Sequence, residues 1–499
     1  MADLETKNSA VATEESGERK VKMRSLALDL VPMGSDEENR MADLKVNKTL
    51  PEGIESKMLY SDIIHIAWPS LVELTLTQLA SMVDLMMVGQ LGPWALTAVG
   101  LTTQPKFLLM TMFMAMNVGA TAMVARYKGA GNQKKADEVL RQALLMTFVL
   151  GCVFAVIGFI AAPWLIKFMG ASEDHVLQGG VDYLRIQMIG LPGLALTSTI
   201  TATLRGVGNS KTAMIYNAMA NIINVIFNYM LIYGNFGAPR MEVAGASLAT
   251  IIGQYCAMFM AFYAVMNGQQ YIILRFRDGF KPNKEEIKKI VDIGAPAMVE
   301  QVVMRIGLII YTRTVAGLGT LPYAVHQVCL NIQSLSFMNG QAFAVSATSL
   351  TGQSLGKKRH DMAQAYTTRT RKLGMCVSIF LGVVFFFFGG QIVALYSGGD
   401  QSLVELGAVI MMFVAVVQPF QSSQLILAGA LRGAGDTKVT AAITFITVLL
   451  VRPALAIFAI NVLGMGLEGA WYALVTDQIL RSLLVLLRYN SGAWKRHTM

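Results

Sequence analysis

The chain has 499 residues, of which 54% are hydrophobic and only 15% are charged. A soluble protein carries about a quarter charged residues, so this composition excludes an ordinary soluble fold and predicts a surface that largely faces lipid. The net charge of +9 does not indicate a nucleic-acid-binding protein, because the basic residues separate apolar segments and do not form one patch.

The first 57 residues are polar, charged and poor in aromatic side chains. Such a segment cannot bury enough apolar surface to fold, so we predict a disordered cytoplasmic tail over residues 1–57. No signal peptide is recognisable ahead of the first apolar run, and the first helix is expected to act as the membrane-targeting signal. Met41-Ala-Asp-Leu repeats the opening Met1-Ala-Asp-Leu, which leaves open an alternative start at Met41 or a coincidence.

The rest of the chain contains twelve apolar segments long enough to cross a bilayer as helices, each of which needs about 20 residues. They predict an all-α integral membrane protein with lobes at 58–267 and 289–490, a cytoplasmic linker at 268–288 with a short surface helix near Lys284–Lys289, and a C-terminal tail at 491–499. The predicted spans are 60–88, 94–125, 142–166, 178–203, 212–234, 243–267, 289–316, 321–353, 373–397, 404–430, 439–463 and 468–487.

The loops between these spans alternate in charge. The loops after even-numbered spans are rich in Lys and Arg, whereas those after odd-numbered spans hold only Lys167 and Arg240. Because Lys and Arg are retained on the cytoplasmic side, this pattern predicts that both termini are cytoplasmic. We expect a multi-pass protein of the plasma (inner) membrane.

The two halves repeat the same short motifs at a constant spacing of 227 residues. Trp-Pro-Ser-Leu-Val-Glu at 68–73 recurs as Ala-Pro-Ala-Met-Val-Glu at 295–300, and Leu-Arg-Gly-Val-Gly at 204–208 recurs as Leu-Arg-Gly-Ala-Gly at 431–435. Two homologous bundles in an apolar chain are typical of transporters with a substrate site between the repeats.

Asp84 is the leading candidate for a functional residue in the first span. An ionisable group inside the bilayer is costly and is therefore a functional candidate by default. Pro69 bends the same helix, and its repeat partner Pro296 is the equivalent hinge candidate. A bend that responds to protonation of Asp84 would give the two states that ion coupling needs. Alternatively, Asp84 lines a water-filled vestibule.

The fifth span carries four asparagines on the helical period: Asn217, Asn221, Asn224 and Asn228. Four amides in a membrane helix are costly unless they face water, an ion or one another. They either contribute to an ion or substrate site or join helices by hydrogen bonds. The sequence alone leaves both interpretations open.

Two glutamates occupy equivalent positions in the first and seventh spans, one turn after the prolines. Glu73 and Glu300 are expected to face a central cavity from opposite lobes and to bind a cationic substrate or protons. Glu300 could instead pair with Arg305 or Arg313. We assign further polar residues to the same cavity: Gln78, Gln421, Gln424 and His326.

Two of the remaining intramembrane groups keep alternative interpretations. His326 could carry protons, since histidine titrates near neutral pH, or could be a hydrogen-bonded packing residue. Arg452 precedes Pro453 and could neutralise an acid or bind an anionic group.

Enzyme and metal motifs are missing from the sequence. It has no HExxH, no P-loop and no nucleotide-binding glycine pattern, which argues against an enzyme or an ATP-driven pump. The four cysteines lie singly and suggest neither disulfides nor zinc binding. We expect no cofactor, and an ion gradient is the remaining energy source.

Three stretches together resemble the MATE family of multidrug and toxic-compound extrusion transporters, from about residue 60 to the end. They are Pro69–Gly92, Gly119-Ala-Thr-Ala and the Leu-Arg-Gly-x-Gly-(Asn/Asp)-(Ser/Thr)-Lys motif at 204–211 and 431–438. The resemblance implies two six-helix bundles related by a pseudo-two-fold axis along the membrane normal. It also implies a V-shaped cavity that opens to alternate sides and efflux driven by Na⁺ or H⁺.

The resemblance also suggests a cation-coupling site in the first lobe. Asp84 falls on the family's first-helix aspartate, Asn224 and Asn228 fall on its Asn-x-x-x-Asp motif, and Ala246 and Thr250 fall on its sixth-helix positions. A possible Na⁺ site would use the oxygen atoms of Asp84, Asn224, Asn228 and Thr250. Only one of these is a carboxylate, which leans toward Na⁺, although Asp84 alone could serve a proton.

The predicted function is a monomeric secondary transporter that exports cationic amphipathic drugs or metabolites in exchange for Na⁺ or H⁺, with lipid as its surroundings and no nucleic-acid partner. The alternative is a flippase for a lipid-linked saccharide, whose cavity should be strongly cationic in order to hold a pyrophosphate. A membrane enzyme would need a convergent acid, base or metal cluster, and the sequence offers none.

Overall fold

A computed structural model describes residues 25–35, 39, 50–171, 173–396 and 400–496. Within these ranges the chain forms twelve long helices and no strands. The helices are α1 (Ser56–Gly89), α2 (Pro93–Gly129), α3 (Gln133–Phe168), α4 (Asp174–Gly206), α5 (Ser210–Tyr233), α6 (Glu242–Met266), α7 (Lys284–Ala316), α8 (Thr320–Gly356), α9 (His360–Ala394), α10 (Gln401–Gly433), α11 (Thr437–Asn461) and α12 (Gly466–Asn490).

Ten of the described helices are long and apolar enough to cross a membrane. The other two, α4 and α8, have 33 and 37 residues and are equally long, but they carry more polar residues. In α4 these include buried threonines whose hydroxyls donate to carbonyls one turn earlier, for example Thr199 to Ala195 at 2.9 Å. The predicted all-α membrane fold is confirmed.

Several helices extend beyond the predicted spans. α3 begins at Gln133, where the Asn132 side chain accepts a hydrogen bond from the Lys135 amide at 3.1 Å. Similarly, Asn283 caps the start of α7. Hydropathy locates the apolar part of a helix, whereas its polar first turns continue into water. The predicted surface helix near Lys284–Lys289 is therefore wrong as a separate element, because these residues form the first turns of α7.

The repeated Leu-Arg-Gly-x-Gly motif ends α4 and α10 in the same way. Gly208 and Gly435 have φ angles of +82° and +83°, which a glycine adopts without strain. Their amides donate to the carbonyls of Arg205 and Arg432 at 2.9 and 3.0 Å, respectively. The next helix starts at once, so this motif makes a tight helical turn in both halves.

The two six-helix bundles contact each other at the end of the molecule where the even-numbered helices finish, which we call the basic end. The Ser349 hydroxyl on α8 donates to the Gly206 carbonyl at 2.9 Å, and Ser346 donates to the Ile63 carbonyl of α1 at 3.1 Å. The repeat-related glycines Gly129 and Gly356 each lie directly against backbone carbonyls of the other bundle. The bundles are therefore closed together at the basic end.

Part of the N-terminal region, which was predicted to be disordered throughout, packs on this basic end. In residues 25–35, a short 3₁₀ turn at Ala27–Leu30 places Leu26, Leu28 and Val31 among buried residues, with exposed fractions of 2–4%. The sequence pattern missed this contact because one short apolar run inside a long polar segment is too brief to predict a packed element. Residues 1–24 and Met41 lie outside the described residues.

Candidate functional site

Asp84 lies in a polar cluster near the end of the first bundle opposite the basic end. Asn228 on α5 donates to Asp84 Oδ1. In the amide orientation that satisfies its neighbours, Asn224 donates to Asp84 Oδ1 and Oδ2 at 2.8 and 3.1 Å and accepts from Thr250 on α6 at 3.2 Å. The Thr250 hydroxyl also lies 3.0 Å from the Ala246 carbonyl and can donate its one proton to either acceptor. The five residues assigned to ion coupling thus lie together.

This cluster leaves one acceptor without a partner among the described residues. Asn228 is fully buried, and its Oδ1 atom accepts no hydrogen bond. A buried amide oxygen beside a carboxylate is a suitable ligand for Na⁺, and Asp84, Asn224 and Thr250 could supply further oxygens. A proton on Asp84 could satisfy the same oxygen by a hydrogen bond. The residues present therefore fit either ion.

Lys106 on α2 is a charged residue that the sequence interpretation did not assign. It interacts electrostatically with Asp84 from within the membrane-spanning part of the first bundle. The ammonium group therefore contributes to the field at the predicted coupling residue. The signal was a lone lysine in an apolar span, which is by itself a functional candidate.

Glu73 forms a buried ion pair in the middle of the first bundle. Arg205 Nη2 lies 2.7 Å from Glu73 Oε2, and Asn217 donates to Glu73 Oε1 at 2.6 Å. Asn221 similarly donates to Thr77 at 3.2 Å. With Asn224 and Asn228 bound to Asp84, all four asparagines of α5 hydrogen-bond to α1 side chains and hold the two helices together.

Glu300 makes the equivalent ion pair in the second bundle. Arg432 Nη2 donates to Glu300 Oε1 at 2.8 Å, and Thr440 donates to Oε2 at 3.3 Å. Glu300 thus pairs with Arg432, and the suggested pairing with Arg305 or Arg313 is wrong. The signal was present, since each arginine lies in the repeated Leu-Arg-Gly motif at the same spacing as its glutamate.

A cavity of about 430 Å³ lies between the two bundles above the closed basic end. Glu73, Arg205 and Arg432 line it, together with small polar and apolar side chains from both bundles. Because each guanidinium has a glutamate partner, the charges at the base of the cavity largely cancel. The cavity can accommodate a drug-sized molecule.

A second cavity of about 360 Å³ lies between the bundles further from the basic end. Gln78 on α1 lines it, as do apolar side chains of α1 and α2 and the polar residues Asn331 and Ser334 of α8. Gln78 was predicted to share a cavity with Glu73, but the structure places it at this second cavity.

The other residues assigned to the cavity are buried within the second bundle. Gln421 accepts a hydrogen bond from Gln333 at 3.4 Å, and Gln424 is 5% exposed. His326 is fully buried with its ring centroid 5.6 Å from both Tyr311 and Trp471. Neither nitrogen of His326 has a partner among the described residues, so this histidine is packed among aromatic rings.

The hinge candidates lie within continuous helices. Pro69 and Pro296 fall inside α1 and α7, each one turn before the glutamate of an ion pair. Proline removes one backbone hydrogen bond and so weakens the helix at that point. Any bend at these prolines would move the glutamates relative to their arginines.

The two buried ion pairs should be important for stability. We expect Glu73→Gln or Glu300→Gln to destabilise the protein by about 1–3 kcal/mol, because each change leaves a largely buried guanidinium without its charged partner. Thermal unfolding in detergent would measure the loss. Glu242→Gln is the control, since Glu242 and its partner Arg240 are 40% and 63% exposed and contribute little. Equal midpoints for all three variants would contradict the structural role.

Comparison with known proteins gives consistent matches over most of the chain. The profile of one family, described as MatE, matches residues 69–230 and 296–458. A probable multidrug resistance protein NorM from Thermotoga maritima is 27% identical over 88% of this chain and 94% of its own length. The uncharacterized transporter YisQ from Bacillus subtilis is 26% identical over 87% of this chain and 94% of its own.

Solved structures share the fold. A MOP superfamily transporter from Pyrococcus furiosus matches with a TM-score of 0.81 at 21% identity, covering 90% of this chain and 100% of the other. A crystal structure of MATE in the straight conformation also gives 0.81, at 22% identity, covering 87% and 97%. At this identity the likeness establishes the architecture of two helical bundles.

Proposed function

Because this chain belongs to the MatE family and is a multi-pass membrane protein of the MOP transporter superfamily, we propose that it is an ion-coupled antiporter. It exports organic cations, drugs or metabolites in exchange for Na⁺ or H⁺. The two lobes, residues 58–267 and 289–490, move against each other so that the cavity between them opens to alternate sides. Neither an ATP-binding motif nor a cofactor is needed for this cycle.

The observation that carries this proposal is the Asp84 cluster. A lone carboxylate is surrounded by two amides and a hydroxyl, and the buried Asn228 Oδ1 atom beside it accepts no hydrogen bond from any residue that the structure describes. Binding of Na⁺ or a proton there changes the charge inside a membrane-embedded bundle. Such a change can favour one arrangement of α1 and α5 over another, which is the differential binding that coupling requires.

We assign the basic end to the cytoplasm, because the Lys- and Arg-rich loops and both described chain ends lie there. With the basic end closed, the cavity is accessible from the outside. In this state a coupling ion can reach Asp84, which lies in the half of α1 away from the basic end, and substrate can leave.

The cavity charges favour export of drugs or metabolites over flipping of a lipid-linked saccharide. A pyrophosphate would need unpaired positive charge, whereas Arg205 and Arg432 are each neutralised by a glutamate. The mixture of apolar and small polar lining side chains suits amphipathic molecules of varied shape. Related proteins described as multidrug resistance proteins support the same substrate class.

The test uses purified protein in vesicles loaded with a fluorescent cationic dye. A Na⁺ gradient and a proton gradient are imposed separately, and dye movement is recorded for the wild type. Dye movement against its own gradient under one of the two gradients would support the antiporter and identify its ion. Movement of a labelled lipid-linked saccharide, with no dye movement under either gradient, would instead indicate the flippase.

A further inference from the structure

The second bundle contains a buried charge cluster that the proposed transport cycle does not use. Arg452 Nε donates to Asp477 Oδ2 at 3.0 Å, and Arg481 Nη2 donates to the same oxygen at 2.9 Å. The exposed fractions of Arg452, Asp477 and Arg481 are 7%, 0% and 3%. Two arginines thus share one carboxylate within the bundle. The intramembrane Arg452 therefore neutralises an acid, Asp477.

This cluster occupies the repeat-related counterpart of the Asp84 cluster. At the spacing of 227 residues, Asp84 corresponds to Tyr311, and the Arg452 guanidinium lies 5.6 Å from the Tyr311 ring centroid. By the same spacing Asn224 corresponds to Val451. However, α11 contains a π-helical segment at Phe445–Val451, which inserts about one residue into the helix. Arg452 therefore takes the place that Asn224 has beside Asp84.

The carboxylate of the second-bundle cluster lies on α12, whereas Asp84 lies on α1, whose repeat counterpart is α7. Gly-Ala pairs at 245–246 and 469–470 align α6 with α12, and this alignment places Asp477 opposite Gly253. In the first bundle a Cβ atom at Gly253 would lie 3.2 Å from the Asn224 Cβ. Asp477 faces Arg452 from the equivalent position. The second bundle therefore keeps a carboxylate at this depth with two arginines bound directly to it, whereas Lys106 forms no ion pair with Asp84 among the described residues.

We propose that Arg452 is a built-in cation that keeps the second-bundle site filled, so that the coupling ion exchanges at the Asp84 cluster alone. An arginine side chain stays charged at any physiological pH. Arg481 holds the same carboxylate from the other side, so an entering cation would be a third positive charge around one Asp477. The inference rests on the proposed antiporter function and specifies one ion for each substrate molecule.

The number of ions is measured from the balance of two gradients. In vesicles with the membrane potential held at zero, transport stops when the substrate ratio across the membrane equals the ion ratio raised to the number of ions exchanged. We expect the two ratios to be equal for the wild type. A substrate ratio equal to the square of the ion ratio would mean two ions and would overturn the inference. Absence of any ion-driven transport would instead overturn the proposed function.

A pair of variants tests which carboxylate exchanges the ion. Asp84→Asn should abolish ion-driven transport, whereas Asp477→Asn should leave the wild-type gradient balance unchanged in whatever protein folds. The reverse result, with coupling lost only in Asp477→Asn, would place the exchanging site in the second bundle and contradict the role of Arg452. If Asp477→Asn does not fold, the wild-type gradient balance decides the question alone.

A separate observation concerns residues 25–35, which bridge the two bundles. The Ala27 amide and the Tyr366 hydroxyl of α9 both donate to Asp62 Oδ2 of α1 at 2.8 Å. Lys357, between α8 and α9, donates to the Leu28 carbonyl at 2.8 Å, and the Gly34 amide donates to the Lys357 carbonyl at 3.1 Å. The segment is thus bound to both sides of the seam at the basic end.

We infer that this segment is a latch that stabilises the closed basic end, since opening would separate α1 from α8 and α9 and break one of the two sets of contacts. Leu28→Asp should release the latch, because Leu28 is only 2% exposed and a carboxylate at this position would be buried without a partner. Leu30→Asp is the matched control, since the Leu30 side chain is 53% exposed. Opening of the basic end is measured with a single cysteine at position 349 in protein that lacks its native cysteines. Ser349 is buried at the contact between the bundles, so a thiol reagent reaches this position only when the basic end opens.

We expect Leu28→Asp to increase the labelling rate at position 349 about tenfold, since burial of an unpaired carboxylate costs more than the 1.4 kcal/mol that a tenfold shift requires. Equal labelling rates for Leu28→Asp and Leu30→Asp would overturn the latch. If Leu28→Asp does not fold, Lys357→Met serves instead, because it removes the side-chain donor that binds the Leu28 carbonyl and should increase labelling in the same direction.

Discussion

Asp84→Asn is expected to abolish ion-driven export in the vesicle assay, which means a loss of at least about 100-fold. The amide can neither bind a proton near neutral pH nor offer a negative charge to Na⁺. Ion binding therefore no longer favours one of the two alternating-access states over the other. The substituted side chain keeps the size of the original and can still hydrogen-bond to Asn224 and Asn228. Dye should still equilibrate down its own gradient.

The control is Asp292→Asn, since Asp292 is an exposed aspartate near the start of α7. This variant should export dye at the wild-type rate. Equal loss in both variants would point to a general effect of charge, and full activity of Asp84→Asn would remove Asp84 from the coupling site. Folding is checked by the thermal midpoint of each variant.

The second large effect concerns the two glycines at the contact between the bundles. A Cβ atom at Gly129 would meet the Gln353 carbonyl, and one at Gly356 would meet the Arg126 carbonyl. Backbone atoms cannot move aside as a flexible side chain can. We therefore expect Gly129→Ala and Gly356→Ala to destabilise the closed basic end by about 1–3 kcal/mol and to shift the population toward the open state by roughly tenfold or more.

Gly100→Ala on α2 is the matched control, because a Cβ atom there would have no described neighbour within 4 Å. Cysteine labelling at position 349 measures the opening in all three variants. The two contact glycines should give faster labelling and slower export, and Gly100→Ala should match the unsubstituted protein. Similar labelling for all three would mean that the basic end does not close by this glycine contact.

The architecture followed from the sequence because its signals are strong and repeated. Apolar segments and the spacing of 227 residues predicted two homologous six-helix bundles, and the motif resemblance to the MATE family is confirmed. The polar starts of α3 and α7 were missed, since a hydropathy window reports lipid-facing length and Asn caps lie outside it.

The site was partly predictable. The residues assigned around Asp84 lie together, and the pairing of Glu73 with Arg205 and of Glu300 with Arg432 could have been inferred from the shared spacing. By contrast, the contact between Arg452 and Asp477 depends on a π-helical segment, and the docking of residues 25–35 depends on the assembled end of both bundles. Neither leaves a local pattern in the sequence.

Ion-coupled antiport is tested most directly in vesicles of defined protein orientation that start with equal substrate concentrations on both sides, when the ion gradient is imposed first in one direction and then in the other. Ion-coupled antiport predicts that substrate accumulates on the side from which the ion departs, and that inverting the ion gradient inverts the direction of accumulation. Substrate that stays at equal concentrations whatever the Na⁺ or proton gradient would contradict ion-coupled antiport.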